Sequence, residues 1–225
     1  MNASEWFLLQ SGRSNTAFNM ALDEALLENV IRLRQPVLRF YGWTDPAASF
    51  GYFQKYREVS RATLLRPLVR RPTAGGIVPH DADWTYSLVF PTDHPWYSVT
   101  AINSYRQVHE WIQAAFAKIN VSTELASDRR DPAGQCFAGH ELFDVLWHGK
   151  KIAGAAQRRT RAGLLIQGSI QPPPMSINRA DWESAMCQSA GSIAWRELTP
   201  DADLLARAEA LVREKYSRPS YQQKR

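Results

Sequence analysis

Hydrophobic positions along the chain follow two alternating periods. In "SNTAFNMALDEALLENVIRLR" the residues Phe18, Leu22, Ala25, Leu26, Val30 and Leu33 recur every three or four positions, which predicts a helix with one apolar face. Asn15 or Ser14 can cap its start and Pro36 ends it. A second helix is predicted over "SVTAINSYRQVHEWIQAAFAKIN", with Ile102, Tyr105, Val108, Ile112, Phe116 and Ile119 on one face. Shorter helical segments are expected near 179 to 188 and 200 to 216.

The remaining apolar runs read as strands. "EWFLLQ", "VLRFYGW", "AASFGYF" and "WTYSLVF" have aromatic and β-branched composition, with Asp45-Pro46 marking a turn and Pro91 a stop. Between 141 and 170 three strand-like runs are separated by His148-Gly149 and Ala162-Gly163, which predicts an antiparallel meander. "DRRDPAGQCFAGH" reads as a loop. Runs of strands packed against a few helices define an α+β fold with mixed, largely antiparallel sheets, expected as a single domain over residues 1–225.

Composition narrows the class. The chain is 44% hydrophobic with eight tryptophans, as a folded protein requires. It has no apolar stretch of membrane-spanning length and no signal segment at its start, so a cytoplasmic protein with no membrane partner is expected. Two cysteines, Cys136 and Cys187, make no disulfide framework. Cys136, His140 and His148 match no compact zinc spacing, so no metal site is expected. The formal charge of +5 favours an acidic partner, with "QQKR" at the end read as a solvated tail. The arginines are not interleaved with aromatics along a strand face, and no nucleic-acid partner is expected.

Three stretches could carry chemistry. In "RRPTAGGIVPHD" the pair Gly75 and Gly76 permits positive φ and close backbone approach, while Arg70, Arg71 and His80 could bind a phosphate or carboxylate. A plain glycine turn with solvent-facing arginines is the alternative. In "HGKKIAGAAQRR", strand alternation that turns Lys150 to solvent sends Lys151 inward, where it needs an anionic or carbonyl partner. The small residues that follow leave space for a ligand tail or a neighbouring helix to fill. In "AGQCFAGHE", Cys136 is either an accessible nucleophile, with its pKa of about 8.5 lowered by a cation, or a small residue anchoring the loop.

Together "NMALDEALL", "LRFYGWTDPAASFGYFQ", "RRPTAGGIVPHDADWTYS", "GKKIAGAAQRR" and "LLIQGSI" closely resemble the lipoate-protein ligase and octanoyltransferase family, whose fold is shared with biotin protein ligases. The resemblance implies that Arg71, Thr73, Gly75, Gly76 and His80 line an acyl pocket. It also implies that Lys151 holds the acyl carbonyl oxygen or a phosphate, and that the Ala153 to Ala156 run, with Gly154 and Ala155, flanks the acyl-chain tunnel.

The Cys-Phe pair before a glutamate-led strand looks most like the LipM-type octanoyltransferases, which implies Cys136 as nucleophile. The implied reaction moves octanoate from octanoyl-acyl carrier protein to a lysine of lipoyl domains of 2-oxoacid dehydrogenases or of the glycine cleavage H protein, with no cofactor. An ATP-dependent lipoate ligase, using ATP and Mg, is the alternative. Ala74 stands where the family commonly carries glycine, and a left-handed backbone there would cost roughly 1 to 2 kcal/mol.

Overall fold

The computed structural model describes residues 4–130, 139–173 and 175–224. In chain order the elements are β1 (Ser4–Ser14), α1 (Thr16–Leu33), β2 (Val37–Trp43), β3 (Ala47–Phe50), α2 (Tyr56–Ala62), β4 (Leu68–Arg70), β5 (Val78–His80) and β6 (Trp84–Pro91). They continue with α3 (Pro95–Ser98), α4 (Ala101–Lys118), β7 (Glu124–Leu125), β8 (Val145–Trp147), β9 (Lys150–Arg159), β10 (Gly163–Ile170), α5 (Arg179–Ser189), β11 (Ile193–Glu197), α6 (Ala202–Leu211) and α7 (Pro219–Gln222).

Local chemistry sets several boundaries. The Asn15 side chain accepts a hydrogen bond from Phe18 N, and Arg34 ends α1 in the left-handed region (φ 59°). Thr100 caps α4 by accepting from Asn103 N, which separates that helix from the single turn of α3. The predicted long helix is α4, which begins three residues inside the predicted stretch, and α3 precedes it. The run "AASFGYF" keeps its strand only to Phe50, because Tyr52 N turns to donate to Thr73 O.

Eight strands form one mixed sheet in the order β11-β1-β2-β6-β10-β9-β8-β7. The pairs β11–β1 and β1–β2 are parallel, and all the others are antiparallel. The meander from β8 to β10 forms as its turn residues predict. Both faces of the sheet are covered. On β2, Leu38 and Phe40 enter a core with Trp182, Phe116 and Val108 of α4 and α5, while Val37 and Tyr41 enter one with Leu22, Leu26 and Leu204 of α1 and α6. Every residue of β6 and β10 is buried for this reason.

A second, three-stranded sheet, β4-β3-β5, packs Phe50, Val59, Leu68 and Ile77 into its own core and carries the glycine-rich loop. The C-terminal segment folds back onto it. Gln222 Oε1 accepts from Arg70 N at 2.6 Å, and Lys224 lies over the Tyr52 ring, so Gln222 is tied to the loop while Gln223 and Lys224 stay exposed.

Candidate functional site

The cavity beside the glycine-rich loop opens between the two sheets. Arg71, Gly75, His80, Lys151, Gly154 and Ala155 all line it, with Met20, Trp43 and Val78 supplying apolar wall. Sequence-distant elements β3, β5, β9 and β10 thus converge on one mostly apolar slot.

The loop is braced from behind. The Arg71 guanidinium donates to Ala74 O (3.1 and 2.8 Å), to Gly76 O (2.8 Å) and to Ser49 Oγ (3.1 Å). Gly75 takes φ +89°, and a β-carbon on the facing Gly51 would lie 1.9 Å from Gly75 O. Two glycines in contact let these backbones close together. Ala74 is absent from the residues with positive φ, so its methyl carries no left-handed strain. Gly76 serves through its carbonyl, and Thr73 sits behind the wall, donating from Oγ1 to Gln167 Oε1 at 2.8 Å.

Arg70 corrects the reading that both arginines face a ligand or solvent. Its side chain is fully buried, and its guanidinium donates to Tyr52 O, Gln54 O, Tyr221 O and Gln222 O at 2.7 to 3.2 Å. It ties the loop to the C-terminal segment.

On the opposite wall Lys150 is exposed and Lys151 turns inward, as alternation along β9 predicts. Lys151 Nζ lies 2.7 Å from Asp144 Oδ2, and the Asp144 side chain is wholly buried. The carboxylate also accepts from Glu141 N at 2.7 Å and from Tyr105 OH. Burial, reinforced by Asp144, holds the Tyr105 phenol well above its ordinary pKa.

Gly154 explains part of the small-residue run. A β-carbon there would lie 2.7 Å from Lys151 Cε and 2.8 Å from Nζ, so the missing side chain makes room for the lysine itself. Ala155 and Ala156 line the slot, whereas Ala153 is in the core and does not flank it. Gly168, on the adjoining strand, lies under the Tyr86 ring, whose Cζ would be 2.1 Å from a β-carbon.

A third wall is polar. His80 Nδ1 is 2.8 Å from Asp83 Oδ2, and His80 Nε2 is 2.8 Å from Ser49 Oγ. Thr85 Oγ1 and Ser169 Oγ donate to the same Asp83 oxygen, and Trp43 stacks on the His80 ring at 3.8 Å. Behind it, Asp23 accepts from Arg39 (2.7 Å), Ser87 (2.7 Å), Tyr41 (3.0 Å) and Gln167 (2.7 Å), joining α1 to the sheet.

Asp23, Ser49, Asp83 and Asp144 were not singled out from the sequence. A signal existed for two of them, since Asp23 interrupts a helical apolar face and Asp144 an apolar strand run. Cys136 lies outside the described residues. Among the described residues no group of three or more metal-ligating side chains is gathered, and no helix is long and apolar enough to cross a membrane.

The two-sheet fold is one met in solved lipoate-protein ligases. A lipoate-protein ligase A bound with ATP superposes with a TM-score of 0.77 at 22% identity, covering 99% of both chains. A bi-partite lipoate protein ligase from Thermoplasma acidophilum, described with its E2 lipoyl domain, gives 0.72 at 21%, covering 99% of this chain and 97% of that one. At these identities the likeness is one of fold.

The sequence goes further: the lipoyl protein ligase A/B catalytic domain matches residues 15–171, and the chain belongs to that family. Octanoyltransferase LipM of Bacillus subtilis (strain 168) is 34% identical over 184 residues, 76% of this chain and 66% of the relative. Octanoyltransferase LipM of Geobacillus kaustophilus (strain HTA426) is 37% identical over 179 residues, 73% of this chain and 64% of its own length. The chain thus spans just under two thirds of the length of these curated relatives.

Proposed function

We propose that the chain is an acyltransferase of protein lipoylation, which moves an octanoyl group from acyl carrier protein to a lysine of a lipoyl-accepting domain. The observation that carries this reading is the buried Lys151–Asp144 ion pair on the wall of an apolar slot. An ammonium held there by a carboxylate is a fixed donor for the oxygen of a carbonyl whose acyl chain occupies the slot. The family membership and the octanoyltransferase names of the relatives support the same chemistry.

In this reading the Cys136 thiolate attacks the octanoyl thioester and forms an acyl-enzyme while the carrier thiol leaves. Lys151 stabilises the negative oxygen in both tetrahedral states, a contribution of a few kcal/mol at such sites. The amine of the acceptor lysine then attacks the acyl-Cys136 thioester and displaces the cysteine. Thioester is exchanged for thioester and then for amide, so no ATP is consumed. The acceptors are lipoyl domains of 2-oxoacid dehydrogenases or the glycine cleavage H protein.

The test is a purified transfer assay with octanoyl-acyl carrier protein and an apo lipoyl domain, with and without ATP, on wild type and Cys136→Ala. ATP-independent transfer lost in the variant, with an octanoyl adduct mapped to Cys136 by mass, is the expected result. Full activity of Cys136→Ala with ATP and free lipoate would overturn it in favour of a ligase.

A further inference from the structure

The polar wall of the cavity contains more than an acyl pocket needs. Ser49, on β3, and His80, on β5, both line the cavity, and Asp83 stands behind them. Asp83 Oδ2 accepts from the hydroxyls of Thr85 and Ser169, which leaves it the acceptor toward His80 Nδ1 at 2.8 Å. In the neutral ring this places the proton on Nδ1 and leaves a lone pair on Nε2. Ser49 Oγ lies 2.8 Å from Nε2, within reach for its hydroxyl to donate to that lone pair. Arg71 Nη1 donates to Ser49 Oγ at 3.1 Å, which occupies one of its two oxygen lone pairs and leaves the hydroxyl proton available to His80 Nε2.

The ring is held on its face as well, by Trp43 at 3.8 Å with 21° between planes. Trp43 Nε1 donates to Thr85 Oγ1, which in turn donates to Asp83, so the same network fixes the ring and its carboxylate. His80 and Asp83 are each under a tenth exposed. A nucleophile, a base within hydrogen-bond reach and a buried carboxylate that orients the base are the parts of a serine acyl-transfer relay, recognised by geometry and role.

We infer that Ser49, His80 and Asp83 form a second nucleophilic centre in the cavity wall, which hydrolyses acyl thioesters and esters held in the slot. Ser49 Oγ attacks the carbonyl carbon as its proton passes to His80 Nε2. The bond from carbon to the leaving sulfur or oxygen breaks, and the leaving group takes that proton from His80. Water then attacks the Ser49 ester and gives a proton to His80; the carbon–Oγ bond breaks, Oγ recovers the proton, and the free carboxylic acid departs. Arg71 places positive charge beside the developing negative charge. The activity releases acyl groups that are not passed to an acceptor lysine, and it rests on the proposed function only in that the slot admits an acyl chain.

The experiment uses the full chain carrying Cys136→Ala, with no acceptor present. A fluorophosphonate probe is expected to leave its adduct on Ser49, located by peptide mass. Hydrolysis of p-nitrophenyl octanoate is expected above the buffer rate and to fall about 100-fold or more in Ser49→Ala and in Asp83→Asn, each in that background. Because Ser49→Ala also strips a partner from Arg71, the adduct in the parent protein and the shape-preserving Asp83→Asn give readouts that do not depend on its folding. No adduct on Ser49, or undiminished hydrolysis in folded Asp83→Asn, overturns the inference. Failure of wild-type octanoyl transfer with a Ser49 adduct present would sink the proposed function and leave this one standing.

Discussion

Lys151 Nζ and Asp144 Oδ2 lie 2.7 Å apart, the lysine side chain 6% exposed and the aspartate side chain not at all. They come together across the β8–β9 turn, and Gly154 leaves the space through which the lysine reaches back. A buried pair of this kind contributes little net stability while intact, but removing one partner strands the other.

Lys151→Ala is therefore expected to abolish acyl transfer and also to destabilise the fold by about 3 kcal/mol, because among the described residues the Asp144 carboxylate keeps Tyr105 and Glu141 as donors but no cation. The double variant Lys151→Met with Asp144→Leu should recover most of the stability and none of the activity. Urea unfolding beside the transfer assay separates the two effects, and near wild-type turnover in either variant would refute the role of Lys151.

Gly51→Ala tests the loop contact. Its β-carbon would meet the Gly75 carbonyl oxygen at 1.9 Å, and backbone cannot swing aside as a flexible side chain can. The glycine loop must shift, at a cost of about 1 to 3 kcal/mol. Transfer should fall at least roughly tenfold, since small displacements of a reacting geometry are costly. Unchanged kinetics would mean that the loop does not position the acyl group.

His109 carries a pH signature. Its ring lies on the buried face of α4, Nδ1 donates to Tyr105 O at 2.9 Å, and burial lowers its pKa from 6.5 to about 4. Between those values the unfolded chain binds a proton that the folded chain excludes. Stability from this group is thus complete above pH 6.5 and is lost progressively as pH falls toward 4, on the order of 3 kcal/mol in all. Urea midpoints at pH 7 and 4.5 should converge in His109→Gln relative to wild type; an equal acid loss in both would show that other groups carry it.

Cys187 should be inert. Burial, with Glu183 adding to it, pushes its thiol up to about 11, so almost none is thiolate near neutrality. Brief iodoacetamide treatment at pH 7.5 is expected to leave Cys187 unmodified while alkylating Cys136, read by peptide mass. Cys187→Ser should retain full transfer, and loss of transfer in it would shift attention to α5.

Elements governed by neighbouring residues were legible in the chain. The Asn15 cap, the Val108, Ile112 and Phe116 face of α4, the meander from β8 to β10 and the inward turn of Lys151 all follow from periods of 3.6 and 2 and from turn chemistry, whereas Ile102, at the start of the same face, is exposed. The strand β11 was missed, since "IAWRE" is half exposed and gains its identity only by parallel pairing with β1, nearly two hundred residues away. The structure places the loop motif beside the cavity, but the division of labour within it was not legible: Arg70 and Arg71 are adjacent, yet one clamps the C-terminal segment and the other braces the glycines.

By itself the sequence determined the α+β class, the family and the stretches that would meet at a site, because residue type and spacing carry that information locally. Only the tertiary structure decided which polar groups face one another. Asp144 for Lys151, Asp83 and Ser49 for His80, and Gln167 for Thr73 are partners chosen by strand register and by the requirement that buried charge and hydrogen-bonding capacity be matched across distant segments. No local pattern encodes such a match, which arises only when the sheet brings both groups out of water at the same place.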